Sequence, residues 1–325
     1  MINKLAAVQL EDHRIMELLK LTPPEKSPLV AHLKDFYHNY SDQSRRSIFS
    51  RLDGLYAEQC TDHFFVAVID GEIAGCLWYG YGRHSNPAAN FGNVYVREKF
   101  RGLGITNILM PYFKADFDNS GALTALCTCS KEWIVKMYRK VGFEQIAERS
   151  PRLMLAKKDQ KTDFNDLSTA YFKFVPPFRV ISGTFEFRHE IDCLSLFSKE
   201  LYREFNTKSF LSSAVANCQQ ALFMQEDGLT KVRFILDSND HIAGWYFVYE
   251  STEKFKIFEF CCHHAISRRE LIGLLSESLE NLADGMPLAC GSSSDDEFKS
   301  GILSECGFIR CGELPGETLW LKTIR

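Results

Sequence analysis

Apolar positions along this chain switch repeatedly between the two periods that separate strands from helices. Leu5 to Leu10 reads as a first strand. Ile15, Met16, Leu18 and Leu19 follow Glu11-Asp12 at spacings that predict a helix, and Leu29, Leu33 and Phe36 predict another over about Pro28 to Tyr40. Ser41 to Glu58 is charged and helical in pattern. Phe64-Phe65-Val66-Ala67-Val68-Ile69 is a buried strand, Asp70-Gly71 a hairpin turn, and Ile73 to Tyr81 the partner strand. Val94 and Val96 alternate with Tyr95 as in a strand. Arg101-Gly102-Leu103-Gly104-Ile105-Thr106 is short, basic and broken by glycine, and from Ile105 the apolar residues Ile108, Leu109, Tyr112 and Phe113 recur at helical spacing. A strand-like run, Ala122 to Cys129, precedes a helical segment ending at Met137-Tyr138-Arg139-Lys140-Val141-Gly142-Phe143. The run through Leu153-Met154-Leu155 reads as closing strands.

This pattern then recurs. Ile73-Ala74-Gly75 follows the turn Asp70-Gly71, and Ile242-Ala243-Gly244 follows the turn Ser238-Asn239-Asp240, 169 residues on. Trp78-Tyr79 has a counterpart in Trp245-Tyr246. Val141-Gly142-Phe143 has one in Cys306-Gly307-Phe308, an offset of 165 residues. Landmarks in the same order predict a duplicated fold. The expected division is a first domain over 1–157, a polar linker over 158–174 and a second domain over 175–325. The fold class is α+β (mixed α/β).

The strand, glycine turn and helix start around Val94 to Thr106 carry the strongest chemical signal. Such a junction gathers several backbone N–H groups in one concave cluster at the positive end of a helix, which suits a phosphate. Glycine lets the backbone turn sharply with no Cβ in the ligand's way. The repeat lacks this feature: Ile266-Ser267-Arg268-Arg269-Glu270-Leu271 holds no glycine pair, and the region Phe298 to Gly307 has no match for Tyr138.

Val96-x(4)-Arg101-Gly102-Leu103-Gly104-Ile105, followed by Tyr138-x-Lys140-x-Gly142-Phe143, resembles the GCN5-related N-acetyltransferase (GNAT) superfamily. The resemblance covers roughly residues 1–155 well and the rest weakly. It implies two GNAT-like domains, each a mostly antiparallel, splayed sheet flanked by helices, the second copy degenerate. It also implies that Arg101, Gly102, Leu103, Gly104, Ile105 and Thr106 bind the pyrophosphate of acetyl-CoA, the acyl-donor cosubstrate. Backbone groups of Val94, Tyr95 and Val96 would bond the pantetheine arm and meet the thioester carbonyl. Tyr138 matches the family tyrosine near the CoA sulfur and is the expected proton donor to the leaving thiolate; its alternative is packing in the core.

Three positions depart from the family pattern. Thr106 stands where Gly or Ala is usual. Lys131 stands where an asparagine often contacts CoA, and a lysine there would approach a phosphate instead. Leu126, flanked by Cys127 and Thr128, stands where some members carry a glutamate base. That leaves Glu98, His84 or a water held by Asn93. The implied activity is N-acetyl transfer to a small-molecule amine or to a peptide or protein amine, in a ternary complex. The alternative is an inactive module that binds CoA or another ligand.

Composition narrows the setting. The chain has 325 residues, 45% hydrophobic and 25% charged, with a net charge of −4. Nothing here calls for nucleic acid or an anionic membrane as partner. No apolar run reaches membrane-spanning length, and the N-terminus lacks a signal-peptide core, so a cytoplasmic protein, monomer or homodimer, is expected. The 11 cysteines are scattered through apolar runs, as reduced buried thiols are. Cys261-Cys262-His263-His264 ends an apolar strand, where neighbours point to opposite faces. Packing, not a metal, is expected there and at Cys127 and Cys129.

Overall fold

The apolar run at Phe64 and its partner form the centre of the first sheet. In the computed structural model, which describes residues 1–83, 88–147, 152–158, 173–191, 201–203, 218–250 and 254–323, they are β3 (Cys60–Ile69) and β4 (Glu72–Gly82). Asp70 and Gly71 between them both have positive φ, 53° and 77°, the geometry that suits a two-residue hairpin turn to the twist of its strands. Before them come β1 (Ile2–Gln9), β2 (Ile15–Leu21), α1 (Pro28–Phe36) and α2 (Asp42–Leu52). After them come β5 (Ala88–Val96), α3 (Ile105–Asp118), β6 (Thr124–Cys129), α4 (Glu132–Arg139), β7 (Phe143–Ala147) and β8 (Arg152–Lys157). The strands lie in the order β1-β2-β3-β4-β5-β6-β8-β7. Every neighbouring pair is antiparallel except β5 with β6.

One expectation fails. The segment at Ile15–Leu19 is not a helix but β2, paired with β1 and β3. Its seven residues are too few for a stable helix of their own, and pairing on both sides buries Met16, Leu18 and Leu21 completely. Glu11 to His13 form the turn, closed by Leu10 N–H donating to the Arg14 carbonyl at 2.9 Å.

Both faces of the sheet are covered, which is why β3 and β4 read as continuous apolar runs. On one face Leu109, Phe113 and Phe117 of α3 and Val135 and Tyr138 of α4 pack on Phe65, Leu77, Tyr79 and Phe91. On the other, Leu33, Phe36 and Tyr37 and the α2 residues Ile48 and Leu52 pack on Phe64, Val66, Cys76 and Trp78.

Two irregularities shape the site. Strands β5 and β6 pair only at Ala88–Thr124, Ala89–Ala125 and Asn90–Leu126. Beyond these the strands part, so β5 from Phe91 to Val96 has no β6 partner. On its other side β5 carries a bulge: Cys76 faces Tyr95 and Trp78 faces Gly92, leaving Asn93 and Val94 opposite Leu77. Asn93 takes a φ of 52°. The extra residue bends the strand.

The chain divides into two units, Met1–Asp166 and Leu167–Arg325. The second contains β9 (Arg179–Ser182), β10 (Leu201–Arg203), α5 (Cys218–Glu226), β11 (Thr230–Leu236), β12 (Ile242–Glu250) and β13 (Lys256–His263). It continues with α6 (Arg268–Ala283), β14 (Leu288–Ser293), α7 (Glu297–Glu305), β15 (Ile309–Leu314) and β16 (Glu317–Lys322). Its order, β9-β11-β12-β13-β14-β16-β15, repeats that of β2-β3-β4-β5-β6-β8-β7, with β10 added against β13. Among its described strands the single parallel pair, β13 with β14, falls where β5 meets β6. Gly142 and Gly307 end equivalent helices with φ of 88° and 83°. The chain is therefore a tandem of two like folds. Of the expected linker, residues 159–172 lie outside the described residues.

Candidate functional site

The parting of β5 from β6 opens a groove of about 1180 Å³ in the first unit. Val94, Tyr95 and Val96 of β5 form one wall, and Thr128 and Cys129 of β6 begin the other. The starts of α3 and α4 supply the rest. Glu98 to Phe100 form a single helical turn after β5, and buried Phe100 anchors it in the core. Gly102 and Gly104 then take φ of 88° and 71°. A Cβ at either would meet nothing within 4 Å, so the backbone here borders open groove.

Gly104 is the N-cap of α3. No side chain caps this helix and no acidic residue stands in its first turn. Its first-turn N–H groups and the positive end of its dipole thus remain for a ligand. Arg101, Gly102, Gly104, Ile105 and Thr106 all line the groove; Leu103 does not, and packs against the core instead. Ile105 is buried, its side chain set against the Cα side of Gly75, where a Cβ would come within 2.9 Å of it.

Helix α4 forms the facing side. Lys131 is its N-cap, in extended conformation, with no side-chain cap bond. Trp133, Lys136, Met137, Tyr138 and Lys140 follow along the groove. Among the described residues, Arg101, Lys131, Lys136 and Lys140 give the lining four cations and no carboxylate. Tyr138 is 6% exposed, edge-on to Phe91 at 5.4 Å and against Phe143 at 5.4 Å. Burial pushes its hydroxyl well above the ordinary tyrosine range, and the thiols of Cys127 and Cys129 and the hydroxyl of Tyr40 push the same way. Tyr138 therefore keeps its proton.

The residues singled out from the sequence thus converge: nine of the ten proposed for the cofactor, and Tyr138, share one groove. Of the base candidates, Glu98 and Asn93 are not among the described residues that line it. Glu98 is exposed and faces Arg101 at 3.7 Å, outside the lining. His84 lies outside the described residues. Asn93 sits at the bulge, its side-chain nitrogen buried without a hydrogen-bond partner. Sequence reasoning passed over Trp133, Lys136 and Lys140, although their spacing of three and four places them on one helical stripe.

In the second unit the corresponding places are filled from within. Ser267 caps α6: its hydroxyl accepts from Glu270 N–H at 3.3 Å, while the Glu270 carboxylate accepts from Ser267 N–H at 3.2 Å. The chain's own carboxylate thus occupies the helix start that is bare in α3. Where β13 and β14 part, beyond Ile257 and Ala289, Lys299 of α7 reaches Glu259 of β13 at 2.7 Å, with both side chains at most 1% exposed. Among the described residues no group of three or more His, Cys, Asp or Glu is placed to hold a metal, and none forms at Cys261 to His264. Nor is any described helix long and apolar enough to cross a membrane.

Residues 60–145 match the acetyltransferase (GNAT) domain family. That match lies within the first unit, and acetyl transfer from acetyl-CoA is the general activity of GNAT domains. Among solved structures, a putative GNAT-family acetyltransferase from Desulfovibrio desulfuricans is 15% identical, covering 43% of this chain and 99% of its own (TM-score 0.34). The PaiA N-acetyltransferase from Thermoplasma acidophilum, solved with coenzyme A, is 13% identical over 42% of this chain and 98% of its own (TM-score 0.31). The Escherichia coli GNAT protein YhbS, also solved with CoA, is 15% identical over 43% and 82% (TM-score 0.33). No curated protein matches the chain.

Proposed function

We propose that the first unit transfers an acetyl group from acetyl-CoA to an amine by direct attack in a ternary complex. The observation that supports this most is the bare start of α3, behind two left-handed glycines, opening into the parted strands. Bound acetyl-CoA supplies an acyl group already activated as a thioester. Backbone N–H groups at Gly102 to Thr106, with Arg101 and Lys131, hold the pyrophosphate. The unpaired edge of β5 at Val94 to Val96 aligns the pantetheine arm and offers an N–H to the carbonyl as it gains negative charge. Tyr138 donates its O–H proton to the sulfur as the N–C bond forms and the C–S bond breaks; water takes the proton that the amine loses, and solvent reprotonates Tyr138. The acceptor, a small amine or a peptide or protein amine, enters from the other end of the split. A cytoplasmic setting, which keeps the thiols reduced, belongs to this reading.

Titrating the chain with acetyl-CoA in a calorimeter tests the reading at its premise. One molecule per chain is expected, because the second unit has already filled both its helix start and its strand split. No binding would end the proposal, and two sites would show that Glu270 and Lys299 do not block the copy.

Trp133 extends the same reading. Its indole is 62% exposed on the groove, next to Lys136. An adenine stacked there, with the neighbouring lysines on the 3′-phosphate, accounts for so large an exposed aromatic. Trp133→Ala is expected to weaken CoA binding by about tenfold, within the range of one stacked base. The same titration reads it, and an unchanged affinity would remove Trp133 from the site.

A second reading rests on one observation: the described groove lining contains no carboxylate or histidine to take the amine's proton. An inactive CoA-binding module fits that. Acceptor-dependent thiol release across an amine library separates the two.

A further inference from the structure

The bulge in β5 is tied down from an unexpected direction. Tyr37, at the C-terminal cap of α1, is fully buried, and its hydroxyl donates to the main-chain carbonyl of Asn93 at 2.9 Å. Asn93 is the extra residue of the bulge and the one with left-handed backbone. The next two residues, Val94 and Tyr95, line the groove. The peptide that Tyr37 holds is thus the one joining Asn93 to Val94, so the hydroxyl fixes the plane in which the Val94 N–H lies.

A second set of contacts holds the same helix to the far end of the strand. Arg97, just past β5, reaches Glu72 at 2.5 Å and Asp35 of α1 at 3.1 Å. Its guanidinium lies over Phe36 at 5.4 Å, and the Arg97 main-chain N–H donates to the Ala74 carbonyl at 2.9 Å. Helix α1 therefore grips β5 on both sides of the bare stretch. Burial, above all, also holds the Tyr37 hydroxyl far above the ordinary tyrosine range, so it remains a donor.

A left-handed, non-glycine residue within a strand is costly and persists only where its surroundings fix it. An oxyanion donor also works only if it is already aimed when charge develops. We propose that Tyr37 is a positioning residue for the acyl-transfer site, holding the Asn93 bulge so that the β5 backbone donor meets the thioester carbonyl. This rests on the acetyltransferase reading above. It adds a role for α1, on the face of the sheet opposite α3 and α4, which hold the cofactor.

The test reads the carbonyl itself and needs no acceptor. Acetyl-CoA carrying ¹³C at the thioester carbonyl is bound to the protein, and its isotope-edited infrared band is compared with that of the free compound. In the wild-type chain a shift to lower frequency is expected, because hydrogen bonding weakens the C=O bond. Tyr37→Phe keeps the ring in its pocket and removes only the hydroxyl. It is expected to lose most of that shift while its affinity for CoA without the acetyl group stays within about threefold of wild type, as for a group that acts on the reacting bond alone. Asn93→Gly is expected to keep the shift, since glycine takes the left-handed backbone freely and leaves the carbonyl for Tyr37 to hold.

A full wild-type shift in Tyr37→Phe would overturn the proposal. So would an equal loss of affinity for CoA itself, which marks a purely structural residue. Loss of the shift in Asn93→Gly but not in Tyr37→Phe would assign the donor to the Asn93 amide instead. Failure of the wild-type chain to bind acetyl-CoA would be seen before any variant is made, and would remove the acetyltransferase reading together with this one.

Discussion

Gly104→Trp is expected to abolish acetyl-CoA binding, weakening it by about a hundredfold or more. Two separate properties of the position produce this. Its φ of 71° lies in the left-handed region, where a Cβ costs roughly 1–2 kcal/mol. The space a side chain would enter is the groove itself, since a Cβ there meets nothing within 4 Å. The Cβ itself meets no protein atom, so on the proposed reading the indole would compete with the pyrophosphate rather than with the fold.

Gly104→Ala separates the two effects. It carries the backbone penalty without the bulk, so its melting temperature should fall with that of the tryptophan variant while most of its binding survives. Calorimetric titration beside a thermal melt checks both. Near-normal binding by the tryptophan variant would place acetyl-CoA somewhere other than the start of α3. Residual binding by the second unit is not expected to mask the loss, because Glu270 already satisfies the Ser267 N–H at the start of α6.

The features legible in the sequence are those whose physics is local. The hairpin of β3 and β4 shows itself because both strands are buried on both faces and Asp70-Gly71 supplies the two positive φ values that its turn needs. The turn into α3 is legible for the same reason: glycines two apart before a helical run mark a tight turn at a helix start, and it took the downstream Tyr138 to Phe143 pattern to suggest a phosphate cradle there. The duplication showed through landmarks that recur at the same structural places, Gly75 in β4 and Gly244 in β12.

What was not legible depends on partners far along the chain. Ile15 to Leu19 fits a helix or a strand by spacing, and only β1 and β3 on either side decide for the strand. The bond from Tyr37 to Asn93 spans 56 residues, and that from Lys299 to Glu259 spans 40. No periodicity announces either. The closing of the second site could be suspected from the absent glycines, but the groups that close it, a helix cap and a buried ion pair, are visible only in the fold.

Tyr138→Phe is expected to lower turnover by about 10²- to 10³-fold, the range of a well-placed proton donor, with CoA affinity within about twofold of wild type. Affinity should hold because the ring keeps its contacts with Phe91 and Phe143. Turnover should fall because the departing sulfur then gains charge beside a hydrocarbon edge. The pH dependence distinguishes this role from a base. Burial, the two neighbouring thiols and Tyr40 all raise the Tyr138 pKa, which favours its protonated form. The hydroxyl is therefore present below and well past the ordinary tyrosine value of about 10. The ratio of wild-type to variant rates should then stay flat from about pH 6 to 10. Thiol release from acetyl-CoA, with the best acceptor from the amine library, gives the measurement. A ratio that rises towards alkaline pH would mean that Tyr138 works as the phenolate, and equal rates at every pH would return it to the core as a packing residue.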